Sequence, residues 1–385
     1  MSNLSTEKTY TIFFAIEGIT ELFSNSEKAW NIGGAEIQMY YLASTLSQMP
    51  NCKVIFLTEK EIPAEDFSPI EIRKPVKAIK RGLPFISRKI NRARKIAAFG
   101  YDTDVAFLIA TNNESFWMLN EARENGIPVI LRINGDSLVD GRGLITERTQ
   151  TFIDAYISHS DGIVVQSHYQ QQAMRNRYNQ NSKIIGSCYS TSPQTCSAQI
   201  SKPIPHSALW IGRIDAVKRP WMIATLAQML PHITFIAVVH DRHQSVYTAQ
   251  FLYDLKKLPN VHLYESLSPR EIAELYHCAS IVINTSSTEG IPNTLIEAAM
   301  HRKPFLALEV DPAEVLSSEM CGLTAHGDLP LFISQINHLM QDASSIKAIG
   351  DCAYDFALSN WSSETSARKY LDYGKQLYLE KNFNS

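Results

Sequence analysis

The sequence lacks the features of membrane-spanning, disulfide-rich and zinc-binding proteins. No stretch of the 385 residues approaches the roughly eighteen consecutive apolar residues that a transmembrane helix needs. The six cysteines are scattered and include no C-x2-C pair, which argues against a disulfide framework and a zinc site. The N-terminal segment does not have the layout of a signal peptide. These absences predict a cytoplasmic protein with reduced thiols.

Phosphate-binding glycine loops and a strong net charge are also missing. There is no G-x-G-x-x-G and no G-x4-G-K-[ST] sequence, so dinucleotide-dependent oxidoreductases and P-loop enzymes lack their usual phosphate loop here. The net charge is only -3, so nucleic acid is not an expected partner. The chain is 45% hydrophobic and 19% charged, which is typical of a soluble globular protein, and its 385 residues are enough for two domains.

The most informative stretch runs from Asn284 to Met300. SIVIN, which ends at the first residue of this stretch, has the short apolar pattern of a buried strand. Pro292 and Asn293 favour the start of a helix that continues through LIEAAM. Backbone amides at a helix N-terminus have no partner within the helix and attract anions. The sequence therefore predicts a phosphate site formed by the amides of Gly290, Ile291, Asn293 and Thr294.

Two glutamates in this stretch stand eight positions apart. Glu297 is predicted about one turn into the helix, where its carboxylate can accept hydrogen bonds from paired hydroxyls such as those of a ribose. Glu289 precedes the helix and is expected to face another part of the same ligand. The alternative is an ordinary strand-helix unit with two solvated glutamates, because this spacing is frequent by chance.

A second strand-loop unit follows a linker rich in Ser, Thr and Pro at residues 189–206. The strand ALWIG leads to Arg213 and, five residues later, to Lys218. A forked guanidinium and a compact ammonium group together suit a pyrophosphate.

These two units, together with NIGGAE at residues 31–36 and a terminal helix, resemble the retaining glycosyltransferases of family 4. The resemblance covers nearly the whole chain. It implies an α/β protein of the GT-B fold, in which two Rossmann-like parallel-sheet domains face a cleft and a C-terminal helix crosses back to the first domain. It also implies transfer of a sugar from a nucleotide-diphosphate sugar to a hydroxyl acceptor.

The resemblance also implies roles for the motif residues. Arg213, Lys218 and the helix N-terminus stabilise the departing diphosphate, so neither a metal nor another cofactor is expected. Glu289 holds the hydroxyls of the donor sugar, and Glu297 holds the ribose. Gly33 and Gly34 lie near the donor phosphates and the acceptor, unless they form only a tight turn before a helix.

Three domains are expected from the alternation of strands and helices and from this resemblance. Residues 1–203 form a Rossmann-like domain on the acceptor side, and residues 204–361 form a Rossmann-like domain that binds the nucleotide-sugar. Residues 362–385 form a helix that packs back on the first domain.

The first domain departs from the family pattern after the strand PVILRIN. Many relatives have a histidine near this point, whereas this chain has Asn134 and Asp136, with Arg132 nearby. Open α/β sheets place ligands at the C-terminal ends of their strands. Asp136 is therefore a candidate for a base or a sugar ligand, and Asn134 for a substrate contact; a routine turn is the alternative.

Residues 73–95 form a strongly basic segment with ten Lys or Arg and no Asp or Glu. Apolar residues are interleaved with the charges, which is typical of a surface for anionic lipid or for a lipid pyrophosphate acceptor. A solvated basic helix face is the alternative. If the first interpretation holds, the protein is peripheral on the inner face of the cell membrane.

The expected setting, again from the resemblance, is the synthesis of bacterial surface polysaccharide, lipopolysaccharide or another glycolipid, with a saccharide or lipid-linked saccharide as acceptor. Two other functions stay open: a catalytically silent protein that binds sugar nucleotides, and an epimerase or phosphorylase of the same fold.

Overall fold

The computed structural model divides the chain into two compact units. Unit 1 holds the described residues up to Tyr189 together with residues from Ser363 onward, and unit 2 holds those from Ser190 to Ser362. The structure describes residues 8–15, 34–57, 69–73, 102–109, 113–141, 147–190, 202–240, 246–265, 267–318 and 320–383.

Unit 1 is built on a seven-stranded sheet in the order β3-β2-β1-β4-β5-β6-β7, and all neighbouring strands are parallel. Its strands are β1 (Tyr10–Ala15), β2 (Cys52–Leu57), β3 (Glu71–Arg73), β4 (Val105–Ile109), β5 (Val129–Arg132), β6 (Gly162–Val165) and β7 (Lys183–Ile184). Its helices are α1 (Gly34–Ser47), α2 (Asn113–Glu124), α3 (Glu147–His159) and α4 (His168–Tyr178), and the C-terminal helix Ser363–Phe383 belongs to the same unit.

Unit 2 is built on a six-stranded parallel sheet in the order β10-β9-β8-β11-β12-β13. Its strands are β8 (Ser207–Arg213), β9 (Thr234–His240), β10 (Val261–Glu265), β11 (Ile281–Asn284), β12 (Phe305–Ala307) and β13 (Gly322–Thr324). Its helices are α5 (Trp221–Met229), α6 (Val246–Lys256), α7 (Pro269–Cys278), α8 (Asn293–Met300), α9 (Val315–Ser318), α10 (Leu329–Gln341) and α11 (Ala343–Trp361); the helix Ser363–Phe383 of unit 1 is α12.

The central strands are apolar on both sides because helices cover both faces of each sheet. In β1, neighbouring side chains point to opposite faces, so Phe14 joins one core cluster while Phe13 joins the other. Helix α12 supplies Tyr370 and Leu371 to the same cluster as Phe14. The last helix of the chain is thus part of the core of unit 1.

The strand order of both sheets reverses direction in the middle. In unit 2 the chain runs outward from β8 through β9 to β10 and then returns to place β11 on the other side of β8. Such sheets bind ligands at the C-terminal ends of the two strands where the order reverses. The loops that follow β8 and β11 occupy this position.

The expected fold class of two Rossmann-like parallel-sheet domains is confirmed. Among the described helices, none is long and apolar enough to cross a membrane. No disulfide joins the described cysteines, which are Cys52, Cys188, Cys278, Cys321 and Cys352.

Only the first residue of the basic segment falls within the described residues. The Arg73 guanidinium forms ion pairs with Glu71 at 2.7 Å and with Asp102 at 2.8 Å. Residues 74–95, on which the expectation of lipid contact mainly rests, lie outside the described residues.

Candidate functional site

The loop after β8 carries two of the predicted cations. Arg213 is the last residue of β8, its side chain is 49% exposed, and its guanidinium is 3.2 Å from an oxygen of Asp215. The other carboxylate oxygen of Asp215 accepts a hydrogen bond from the Lys218 amide at 2.8 Å. Asp215 therefore fixes the turn that brings Lys218 back toward β11.

Lys218 and Glu289 form an ion pair although they are 71 positions apart in the sequence. Their side chains are only 19% and 13% exposed. The Glu289 oxygen in this pair, Oε1, also accepts a hydrogen bond from the Ser286 hydroxyl at 2.6 Å. It lies 3.5 Å from the side-chain nitrogen Nδ2 of Asn284. These contacts hold a partly buried charge pair at the reversal point of the sheet, where an isolated charge is costly.

Thr285 and Arg219, which the sequence motifs did not single out, connect the two loops. The Thr285 hydroxyl accepts a hydrogen bond from Trp210 Nε1 at 2.9 Å and donates to the Lys218 carbonyl at 2.6 Å. The Arg219 guanidinium donates to the carbonyls of Thr285 at 2.5 Å and Ser286 at 3.0 Å. The position of Arg219 directly after Lys218 is the one signal in the sequence that marks it.

Arg219 also joins these loops to the segment after β12. Its guanidinium forms an ion pair with Glu309 at 2.6 Å. Its backbone φ of 48° lies in the left-handed region, which is uncommon for a residue with a side chain. The Lys218–Arg219 turn is thus held by contacts from two neighbouring loops.

Helix α8 begins at Asn293, as the sequence predicts, with Pro292 as its N-cap. Pro292 provides no side-chain hydrogen bond to cap the helix. Gly290 and Ile291 lie in the loop immediately before the helix, and Asn293 and Thr294 are its first two residues. The predicted phosphate-binding residues therefore stand at the N-terminus of an eight-residue helix.

Glu297 lies in the second turn of α8 and faces helix α7. Tyr276, which is 1% exposed, donates a hydrogen bond from its hydroxyl to Glu297 Oε2 at 2.7 Å. The Tyr276 ring stacks on His301 with a centroid distance of 5.1 Å and an interplanar angle of 17°. His301 Nδ1 in turn is 2.8 Å from the Glu297 carbonyl oxygen. Sequence motifs did not indicate Tyr276 or His301.

Burial strongly disfavours the charged form of His301. The pKa of His301 is lowered from 6.5 to about 4, chiefly by burial and to a smaller extent by the nearby charges of His277 and Lys303. The Glu297 carbonyl, which favours the protonated ring, offsets only part of this effect. His301 is therefore neutral at neutral pH.

We expect the protein to become less stable as the pH decreases from 6.5 toward 4, because of His301. Above pH 6.5 the ring is neutral in both folded and unfolded chains; as the pH falls toward 4, the unfolded chain binds a proton that the folded chain does not. This coupling lowers the free energy of unfolding by about 3 kcal/mol at most. Denaturant unfolding of wild type and His301→Gln across this range should show a smaller pH dependence in the variant. The exposed His338→Gln should keep the wild-type slope.

In unit 1, Asn134 and Asp136 follow β5 and are held by polar side chains. The Gln170 amide donates to Asp136 Oδ1 at 2.9 Å. The Arg132 guanidinium donates from Nε to Asn134 Oδ1 at 3.0 Å, which orients the amide of Asn134. Asn134 Nδ2 is buried and has no hydrogen-bond partner among the described residues.

Arg132 is a buried cation at the end of β5. It is 1% exposed, and it donates to the Tyr370 hydroxyl at 3.0 Å and to Gln38 Oε1. Among the described residues, no carboxylate forms an ion pair with it. A charged residue at the end of an apolar strand is the sequence signal for this network, whose partners only the fold reveals.

The remaining predicted residues of unit 1 are the two glycines. Gly34 is the first residue of α1 and is exposed, whereas Gly33 lies outside the described residues. Within the described part of the chain, no group of three His, Cys, Asp or Glu side chains is placed to hold a metal ion.

Part of the chain is similar in sequence to known glycosyltransferases. Residues 205–342 match the model of the family described as Glycosyl transferases group 1. The amylovoran biosynthesis glycosyltransferase AmsD of Erwinia amylovora is 30% identical over 133 residues, which are 33% of this chain and 34% of that protein. The match thus spans about a third of this curated relative. The glycosyltransferase resemblance is confirmed, and its assignment to family 4 stays a prediction.

Solved structures match over nearly the full length. HepE of Anabaena, in complex with UDP-glucose, has a TM-score of 0.70 at 16% identity, covering 95% of this chain and 99% of that chain. A glycosyltransferase of Rickettsia africae has a TM-score of 0.71 at 16% identity, covering 98% and 100%. At such identities the similarity shows the fold, which is GT-B.

Proposed function

We propose, from the match of residues 205–342 to Glycosyl transferases group 1, that this chain moves a sugar from a nucleotide-diphosphate sugar to a hydroxyl acceptor. The observation that carries the proposal is the Lys218–Glu289 pair at the reversal point of the unit 2 sheet. Both residues lie inside the matched stretch, and both follow the strand ends where such sheets bind ligands.

Unit 2 would bind the donor. An ammonium group has three hydrogen-bond donors, so Lys218 can hold Glu289 and a diphosphate oxygen together. Arg213, half exposed at the end of β8, adds a second cation, and the N-terminus of α8 adds amides directed at the same anion. Glu289 would then hold hydroxyls of the donor sugar, and Glu297 the ribose.

The proposed reaction retains the configuration of the anomeric carbon. The bond from this carbon to the diphosphate oxygen breaks while the bond to the acceptor oxygen forms on the same face. The acceptor proton passes to the departing diphosphate, so no separate strong base is required. Arg213, Lys218 and the helix N-terminus stabilise the charge that develops on the diphosphate, and neither a metal nor a cofactor takes part in the proposal.

Unit 1 is proposed to bind the acceptor, with Asp136 and Asn134 as its polar contacts. The oriented amide of Asn134, whose buried nitrogen has no partner in the part of the chain that the structure describes, supports a contact to a substrate oxygen. AmsD acts in amylovoran biosynthesis, which supports a saccharide or lipid-linked saccharide acceptor in bacterial surface polysaccharide or glycolipid synthesis.

The proposal predicts release of one nucleoside diphosphate. The purified protein should release UDP, GDP, ADP or dTDP from one member of a panel of nucleotide-sugars, and crude lipid extract should increase the rate if the acceptor is lipid-linked. NMR of the product should show the anomeric configuration of the donor. Saturable nucleotide binding without any release would instead support a silent binding protein, and an inverted product would contradict retention.

A further inference from the structure

We infer that the Tyr276 hydroxyl positions the Glu297 carboxylate for the two ribose hydroxyls, and so helps the site to select ribonucleotides over deoxyribonucleotides. This inference rests on the proposed function. It makes Tyr276 a positioning residue, because its hydroxyl acts on the nucleotide through Glu297.

A hydrogen bond from Tyr276 orients the Glu297 carboxylate. A glutamate side chain has three rotatable bonds, and ordering it when a ligand binds costs conformational entropy. The bond from Tyr276 Oη to Glu297 Oε2, at 2.7 Å, fixes the rotation of the carboxylate before any ligand arrives. It also sets the direction of the second oxygen, Oε1. A carboxylate fixed in this way can accept hydrogen bonds from paired hydroxyls without further ordering.

The Tyr276 side chain is itself held in place by its surroundings. The side chain is 1% exposed and stacks on His301, so the ring has little room to turn. Helix α7, which bears Tyr276, is held at its start by a capping box between Ser268 and Glu271. His301 directly follows helix α8, which bears Glu297, and its Nδ1 lies 2.8 Å from the Glu297 carbonyl oxygen. The hydroxyl therefore has a fixed place from which to orient the carboxylate.

The test compares ribose with 2′-deoxyribose. Calorimetry would give the Kd of UDP and of 2′-deoxy-UDP, or of GDP or ADP and its 2′-deoxy form if the wild type releases that nucleotide, for wild type, Tyr276→Phe and the exposed control Tyr253→Phe. Phenylalanine keeps the ring and its stacking, so the loss of one hydrogen bond is the only intended change. Tyr276→Phe should weaken UDP about 5- to 10-fold and leave 2′-deoxy-UDP within about twofold. The control should change neither value.

Two further measurements separate positioning from a general loss of structure. In a Glu297→Ala background, Tyr276→Phe should have no additional effect on UDP affinity, because the group it orients is gone. In steady-state assays with the donor that the wild type uses, Tyr276→Phe should raise KM and leave kcat nearly unchanged. Tyr276→Met, which fills similar space without a hydroxyl, serves as a second variant with the same expected loss.

Equal weakening of UDP and 2′-deoxy-UDP, or no weakening of either, would overturn the inference and leave the proposed function standing. If the wild type binds neither UDP nor GDP, ADP or dTDP, the proposed function itself fails, and the inference fails with it.

Discussion

Replacing Lys218 by methionine will lower kcat about 10²- to 10³-fold, because it removes the ammonium group expected to meet the charge of the departing diphosphate. Methionine is similar in size to the aliphatic part of lysine and removes the charge together with its three hydrogen-bond donors. Lys218 is 19% exposed in the ion pair with Glu289, where the protein screens charges less than water does. Steady-state assays with the donor found in the panel measure the loss.

The matched control is Lys256→Met. Lys256 also forms an ion pair, with Glu265 at 2.7 Å, but both side chains are about half exposed and lie away from the reversal point of the sheet. Its replacement should leave kcat within about twofold, since exposed ion pairs contribute little. A Lys218→Met protein that folds normally and turns over at the wild-type rate would rule out the proposed site.

A double variant separates stability from chemistry at this pair. Lys218→Met alone leaves the Glu289 carboxylate partly buried without its cation, which should lower the free energy of unfolding. Adding Glu289→Gln removes that charge, and Ser286 can still donate to the new amide oxygen. Stability should then recover while turnover stays low. If the free energy of unfolding and the turnover both recovered, the Lys218–Glu289 pair would contribute to stability and not to catalysis.

Replacing Gly350 by alanine will destabilise unit 2 by about 3 kcal/mol, at the upper end of typical overpacking costs. A Cβ at this position would lie 2.1 Å from the backbone oxygen of Arg302 and 2.7 Å from its carbonyl carbon. Backbone atoms cannot rotate away as a flexible side chain can. Gly350 lies inside α11, and Arg302 closely follows α8, so one of these two segments must move.

Thermal unfolding provides the measurement. A loss of this size should lower the Tm of unit 2 by about 6 to 12 °C. The control is Gly374→Ala in α12, which is also a glycine within a helix. Its Cβ would lie 3.4 Å from the nearest atom, on the Val105 side chain, which is an ordinary contact.

Gly374→Ala should stabilise the protein by about 0.5 to 1 kcal/mol, because alanine loses less backbone entropy in a helix. The two substitutions are therefore expected to have opposite signs. Equal and small effects would show that the close approach of α11 to Arg302 is relaxed in solution.

The placement of α8 against its neighbours links this stability to the candidate site. Glu297 lies within α8, and His301 and Arg302 follow at its C-terminal end. Tyr276 holds the Glu297 side chain from α7, while Gly350 allows α11 to approach Arg302 closely. A change in this packing moves the carboxylate proposed to hold the ribose, although it touches none of the proposed ligand contacts.

Much of the local structure could be predicted from the sequence. The apolar run of Ile281–Asn284 is a strand, and α8 begins at Asn293 after Pro292. The strand ALWIG after the linker is also present, and it extends one residue further, to Arg213. Such features depend on neighbours within a few positions, namely apolar runs, proline and helix-forming residues, so their information is contained in a short stretch of sequence.

The partners across the sheet could not be predicted in this way. Lys218 meets Glu289 only because β11 returns to lie beside β8 after the chain has passed through β9 and β10. Arg132 meets Tyr370 across 238 positions because the last helix packs into the core of unit 1. The spacing of residues within a local motif does not indicate such long-range pairs.

The sequence by itself therefore determined the kinds of elements, their order and the family resemblance carried by Arg213, Lys218, Glu289 and Glu297. Only the tertiary structure decided that Lys218 and Glu289 pair, that Arg219 and Thr285 connect their loops, and that Tyr276 holds Glu297. The physical reason is that strand order and helix packing are set by burial of the whole core, which joins residues far apart in the chain.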